Sequence, residues 1–510
     1  MLWHVTIFDS PKEVRVSFSR RFVPAILVAL RTELSDSTVY PLGARRTLVV
    51  LSGTYLGGFV ASINQTITAT ALPRIVDDLG GLRHYSWVFT AYILASIVTI
   101  PLFGKLSDVH GRRPAFVAAI VLFSVGSVLS GLAPTLPVLV IGRAVQGLGA
   151  GGLGPLGLAV MGDVIAPRAR GKWQAANGMV LACSAVGGPL LGGWFTDHAS
   201  WRLAFFASLP LSAAALGVVW FGFGRFGHRE RKPIDWTGAL LLTVGTGAGL
   251  FGLSDGGVDL PWLSAPIVGA LLASVLLIAT LVMVGRRAED PILPFALLRR
   301  RRIAAADIAL FCVGASMLGA VTYVPLFVQA VVGGSATSSA AALIPLTLSW
   351  IAASIVAGQV VSRTGRPRQV LLVGPPLAGV GFALLTTAGA DAAIGEVIRD
   401  VVIIGAGLGL MIQTLLVVVQ DAAPPGQLGA ATASAEFSRW IGALTGVAAM
   451  GSILATRVGP SAARGAAPAV VAAGLHGAFA VGLGIAALAF AAALALPDVH
   501  LRDRFDEARP

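Results

Sequence analysis

The chain has 510 residues, 55% of them hydrophobic and 12% charged, with a net charge of +12. A soluble globule carries about 25% charged residues, so this composition excludes one and points to a body embedded in the lipid bilayer. The cations sit at the ends of apolar segments rather than on one hydrophilic domain, which argues against a nucleic-acid partner and for membrane topology.

Residues 1–44 read as a cytoplasmic N-terminal extension. They carry Asp9, Glu13 and Glu33 among their cations, and their one apolar run, Phe22 to Leu30, is too short to span. Beyond them, runs of roughly 20 apolar residues predict fourteen transmembrane helices. Six lie near 47–71, 87–104, 114–132, 137–161, 173–194 and 203–223, two near 237–254 and 264–284, and six near 304–330, 339–361, 370–388, 397–419, 428–454 and 472–496. The expected architecture is all-α. A six-helix half at 45–223 and another at 303–496 flank a linker with two inserted helices at 224–302, and a cytoplasmic tail covers 497–510.

Lys and Arg in short loops stay on the cytoplasmic side. With the N-terminus inside, 29 of the 37 cations fall on inner segments and 6 on outer ones, leaving Arg143 and Arg439 within spans. Both termini are therefore expected in the cytoplasm. Cys183 and Cys312 both lie in apolar runs, which removes a disulfide framework or thiolate metal site, and no cofactor is expected. Without a phosphate-binding loop, a His cluster or a Ser/His/Asp set, the sequence suggests neither an enzyme nor an ATP-driven pump.

One stretch organises the rest. Gly104-Lys105-Leu106-Ser107-Asp108-Val109-His110-Gly111-Arg112-Arg113 reads as a short polar loop between two spans, its glycines permitting a tight reversal. It recurs as Gly358 to Arg366 with the same spacing between glycines, so the chain looks like two halves built on one plan and facing the same membrane side. Asp108 is placed near the start of a helix, where the positive helix end favours a carboxylate and arginines stand close by. In the second copy, Ser362 takes the acidic position.

Four further stretches carry a family resemblance. These are Ile63 to Pro73, Leu139 to Gly151, Gly187-Gly188-Pro189-Leu190-Leu191-Gly192-Gly193-Trp194, and Trp201 to Pro210. Together with the loop they resemble the major facilitator superfamily, and within it the fourteen-span drug:proton antiporters of the EmrB/QacA type. The resemblance implies an exporter of amphiphilic drugs or antibiotics in the bacterial cytoplasmic membrane, working as a monomer by alternating access. It makes Gly104, Asp108, Gly111, Arg112 and Arg113 a latch, and Gly188, Pro189, Gly192 and Gly193 a movable contact with the second half. It also ties Arg143 to substrate or proton coupling.

An arginine in a span is costly and normally faces a polar cavity with a partner. Family members commonly carry an aspartate where this chain has Asn64, and an amide cannot titrate near neutral pH. Proton coupling is therefore expected at Glu436, three residues before Arg439, with Asp307 and Asp163 nearer the membrane edge. The expected cavity lining, Asn64, Gln65, Tyr92, Gln146, Asn177, Tyr323, Gln413, Phe437 and Trp440, is amide and aromatic, which suits bulky amphiphiles. The missing aspartate leaves open a facilitator or exporter of an endogenous lipid or secondary metabolite. A non-transporting membrane sensor is the alternative of another class.

Overall fold

The structure, a computed structural model, describes residues 44–79, 87–165, 167–223, 235–256, 260–287, 291, 295–332, 336–389, 392–424, 427–458, 468–498 and 501. Nearly all of the expected N-terminal extension and most of the tail lie outside them.

Fourteen long helices follow in chain order. The first half holds α1 (Ala44–Leu79), α2 (Trp87–His110), α3 (Arg112–Gly131), α4 (Leu136–Val164), α5 (Pro167–His198) and α6 (Leu203–Gly222). Then come α7 (Trp236–Asp255) and α8 (Ala265–Gly285), and the second half holds α9 (Arg301–Ala330), α10 (Ala336–Thr364), α11 (Pro367–Thr387), α12 (Ile394–Ala422), α13 (Leu428–Val458) and α14 (Pro468–Ala495). Helices satisfy every backbone group internally, which the bilayer demands. Thirteen of these helices are long and apolar enough to cross a membrane. The other, α5, is 32 residues long and opens on a polar run with Arg168, Arg170, Lys172 and Gln174.

The packing repeats with the sequence. In the first half α1 packs on α4, α5 and α6, and α4 packs on α2 and α3. In the second, α9 packs on α12, α13 and α14, and α12 packs on α10 and α11, so each pairing recurs. The seam between the halves is symmetric as well: α2 meets α13 as α10 meets α5, and α4 meets α13 as α12 meets α5. The inserted pair α7 and α8 packs on itself, and α7 also touches α2 and α13.

Glycines set how closely α2, α3 and α4 approach. A Cβ at Gly126 would meet the backbone of Gln146, one at Gly147 the carbonyl of Tyr92, one at Gly149 the backbone of Phe123, and one at Gly151 the carbonyl of Ser96. Small residues of this kind let helix backbones touch in a membrane, where no hydrophobic force draws helices together.

The polar loop is shorter than expected. Helix α2 runs on to His110 and α3 starts at Arg112, so Gly111 alone makes the reversal, at φ 94°. Its counterpart Gly365, at φ 67°, lies between α10 and α11. Both are in the left-handed region that glycine enters without strain. Gly104 takes no part in the turn. It lies inside α2, where its missing side chain brings that helix against Gly429 and Ala433 of α13.

Candidate functional site

On the membrane face that carries both glycine turns, a charged junction joins the halves. The backbone amides of Gly429 and Ala430 donate to the two carboxylate oxygens of Asp108 at 3.0 and 2.8 Å. These amides belong to the first turn of α13, where donors have no partner within the helix and the dipole is positive. Sequence reasoning placed Asp108 near the start of its own helix, and here the structure differs. Asp108 lies in the last turn of α2, and the helix start that it caps belongs to the other half.

Arg112 completes the junction. Its guanidinium pairs with Asp108 at 2.7 Å and with Asp163 of α4 at 2.6 Å, and also donates to Ser107. Asp108 and Arg112 are buried, at 6% and 4% exposure, so the network is shielded from water, where ion pairs are stronger but costly to assemble. Arg113 points elsewhere, its guanidinium 4.7 Å from the centre of the Trp220 ring. Close by, Gln174 of α5 donates to the side-chain oxygen of Gln420 on α12 at 3.2 Å, and Gln420 donates to the carbonyl of Leu158 on α4 at 3.0 Å. This second bridge was not foreseen. Its only sequence signal was an amide near the end of each apolar run.

Deeper in the first half lies a polar cluster around Arg143, which is fully buried. Its Nε donates to the Val88 carbonyl at 3.0 Å, and its Nη1 donates to Asn64 Oδ1 at 2.8 Å and to Gln146 Oε1. Gln146 in turn donates to Ser127 at 2.6 Å. The Tyr92 ring lies 4.1 Å from the guanidinium carbon, a cation–π distance. Four residues expected from the sequence thus meet at one place. Gln65 and Asn177 are half-buried nearby on α1 and α5, and Asn177 faces Gly58.

The second half is arranged differently. Glu436 is paired with Arg439 on α13, and Arg439 lies over the Trp440 ring at 5.1 Å. Asp307 on α9 is buried at 5% exposure, with no hydrogen bond of good geometry to either oxygen among the described residues. Ser434 is the polar side chain beside it, and its hydroxyl donates to the Ala431 carbonyl. Tyr323 donates to the Val447 carbonyl at 2.8 Å, which ties α9 to α13. Gln413 is buried in α12 with its side-chain oxygen unbonded. Phe437 packs against the apolar cluster of Ala239, Leu242 and Leu281 on the inserted pair. The nine expected lining residues therefore do not form one cluster.

The glycine-rich run of the fifth helix also departs from expectation. The helix continues through Pro189. A Cβ at Gly188 would meet Thr66, so this glycine serves packing on α1 of its own half, and Thr66 bonds the Ser184 carbonyl at 3.0 Å. Gly192 is buried, and the side-chain positions of Pro189 and Gly193 lie outside the described residues.

Comparison with known proteins agrees with this architecture. The sequence pattern described as Major Facilitator Superfamily matches residues 54–447. The chain is 35% identical to the multidrug transporter protein MdtP of Bacillus subtilis (strain 168), over 82% of this chain and 76% of that protein. It is 33% identical to Multidrug resistance protein 3 of the same organism, over 80% and 79%. Among solved structures, the human organic anion transporter MFSD10 superposes with a TM-score of 0.64 over 87% of this chain and 99% of that one. At 15% identity that likeness concerns the fold alone.

Proposed function

Because the chain belongs to the major facilitator superfamily, we propose that it exports amphiphilic drugs or antibiotics across a bacterial cytoplasmic membrane in exchange for protons, by alternating access. The junction at Asp108 carries this reading. A permanently fused seam is as stable or more so when filled with apolar side chains, so a buried carboxylate held across it by two backbone amides suits a contact that must part and re-form. With the cation-rich face taken as cytoplasmic, the junction closes the inner side, and its release opens it. The working units are the halves 45–223 and 303–496, which rock about the seam with the 224–302 insert at the side and both termini inside. The protein acts as a monomer. The names of its two bacterial relatives support the substrate class, and so do the amide and aromatic residues around Arg143.

Proton coupling is assigned to the second half, whose helices carry Glu436 and Asp307 away from the junction. A proton from outside binds Glu436 or Asp307, neutralises a charge that is costly in the membrane, and leaves to the cytoplasm after the switch. Asp307 joins Glu436 here because it is buried beside the Ser434 hydroxyl with no cation facing it among the described residues. A second reading, a facilitator or exporter of an endogenous lipid or secondary metabolite, is favoured by Asn64, which puts an amide beside Arg143 in place of a titratable group.

Liposomes containing the purified protein, with an imposed pH gradient and a fluorescent amphiphile, separate the two. Antiport predicts gradient-driven accumulation that collapses in Asp307→Asn and in Glu436→Gln. Flux indifferent to the gradient and to both substitutions selects the second reading, and absence of flux across drugs, lipids and dyes overturns both.

A further inference from the structure

The six predicted spans of the first half contain no aspartate, glutamate, lysine or histidine and a single arginine, Arg143. The structure buries that arginine completely and, among the described residues, gives it only neutral partners: the Val88 carbonyl, the Asn64 and Gln146 side-chain oxygens, and the Tyr92 and Phe205 rings. An arginine is charged at any physiological pH, so the region carries one positive charge that nothing within these spans balances. Burial of an unbalanced charge is expensive.

The hydrogen bonding is unbalanced in the same direction. Both protons of Nη1 are used, on Asn64 and Gln146, while Nη2 has no partner. The Asn64 amide is oriented by that contact, because its oxygen must face the guanidinium, and its Nδ2 is left buried without an acceptor. Two adjacent groups, joined to each other by one hydrogen bond, therefore present N–H donors with nothing to receive them. A water molecule can accept from such donors but leaves the charge unbalanced. A group that has acceptors only, and carries a negative charge, answers both deficits at once.

We propose that Arg143 and Asn64 form an anion subsite in the first half, which takes the carboxylate or sulfonate head of an amphiphilic substrate. The subsite is closed in this structure, with the Tyr92 ring lying over the guanidinium, and the head group enters when the halves part. The proposal rests on the exporter reading only for its claim that the bound molecule is then carried across. It makes the absent first-helix carboxylate a specificity device: an aspartate at position 64 would balance Arg143 internally and leave no place for an anion, whereas asparagine leaves that place to the ligand.

The test is equilibrium binding to the purified full-length protein of three probes with one fluorophore: dansylglycine, an anion; dansylcadaverine, a cation; and dansylamide, uncharged. Hydrogen bonds to charged groups contribute enough that dansylglycine should bind roughly tenfold or more tighter than dansylcadaverine, with dansylamide between them. In Asn64→Asp, which differs in shape by almost nothing, the order of the two charged probes should be lost or reversed. The thermal midpoint of that variant should rise, because the new carboxylate satisfies Arg143. Equal affinities for the charged probes, no binding of dansylglycine, or an Asn64→Asp protein that keeps the original order would each overturn the proposal. Binding needs no gradient, so a protein that shows this preference but moves no probe across liposomes overturns the exporter reading and leaves the subsite standing.

Discussion

At Gly111 and at Gly365 the two halves reverse between helices through a glycine of positive φ, in one residue at the first and two at the second, but three residues before the glycine the first has a carboxylate, Asp108, and the second a hydroxyl, Ser362. Asp108 reaches across the seam to the amides of Gly429 and Ala430. Beside Gly365 the contact comes from the chain's own tail: the Leu501 amide donates to the Gly365 carbonyl at 2.9 Å, and its side chain is buried with Ala357, Val361, Val370 and Val417. A glycine turn is common to both copies, and in the first one side chain, Asp108, carries it across to the other half.

The largest effect should come from Asp108→Ala, which strips two first-turn amides of their acceptor and takes from Arg112 one of its two carboxylates. Of the bonds that Asp108 makes, only the two to amides cross the seam, and hydrogen bonds to a charged group contribute about 1.5–3 kcal/mol each, a shift of roughly a hundredfold or more against the closed state. Spin labels at His110 and Thr364, both exposed beside the turns, in a background lacking Cys183 and Cys312, should report a longer separation. An unchanged distance distribution would remove the distinction between the turns.

A smaller effect is expected from Gly429→Ala, whose Cβ would meet the Arg112 guanidinium and the Asp108 carboxylate. Crowding of that order costs about 1–3 kcal/mol and should move the same labels in the same direction. Each turn is predicted to depend on its glycine. Gly111→Ala and Gly365→Ala should each cost about 1–2 kcal/mol in the left-handed region, lowering the thermal midpoint by similar amounts. No loss at either position would show that the positive φ is not what the turn requires.

The smallest effect belongs to Ser362→Asp, which installs the missing acid in the second copy. Helix α10 packs on α5 as α2 packs on α13, so the new carboxylate should face the start of α5 and favour closure by about 0.3–1 kcal/mol. The readout is a modest narrowing of the label distances towards the short end.

The apolar runs disclosed the helices and the recurring glycine loop the two-fold repeat, because bilayer thickness fixes how long a span must be and matched halves repeat their connections. What they could not disclose was partnership at long range. Asp108 was recognisable as a charged residue at a turn, but its acceptor role is completed 321 residues later by backbone amides, which leave no mark in a sequence. Arg143 was legible as a residue needing company. That its company would be Asn64, Gln146, Tyr92 and the Val88 carbonyl, with no acid, depended on how three helices rotate about their axes. For Asp307, position along the span suggested a place near the edge and hence a minor role. Its burial beside Ser434 depends on how α9 meets α13, which spacing along α9 does not reveal.

The glycine contacts of Gly126, Gly147, Gly149 and Gly151 have a bearing on how the molecule can be observed. With backbone set against backbone at four levels, α2, α3 and α4 cannot slip past one another by even one residue without driving side chains into main chain. They should travel as a single solid block. An antibody fragment raised against the exposed ends of these three helices would then recognise inward-open and outward-open molecules equally well, and could serve as a fixed reference mark in images of either.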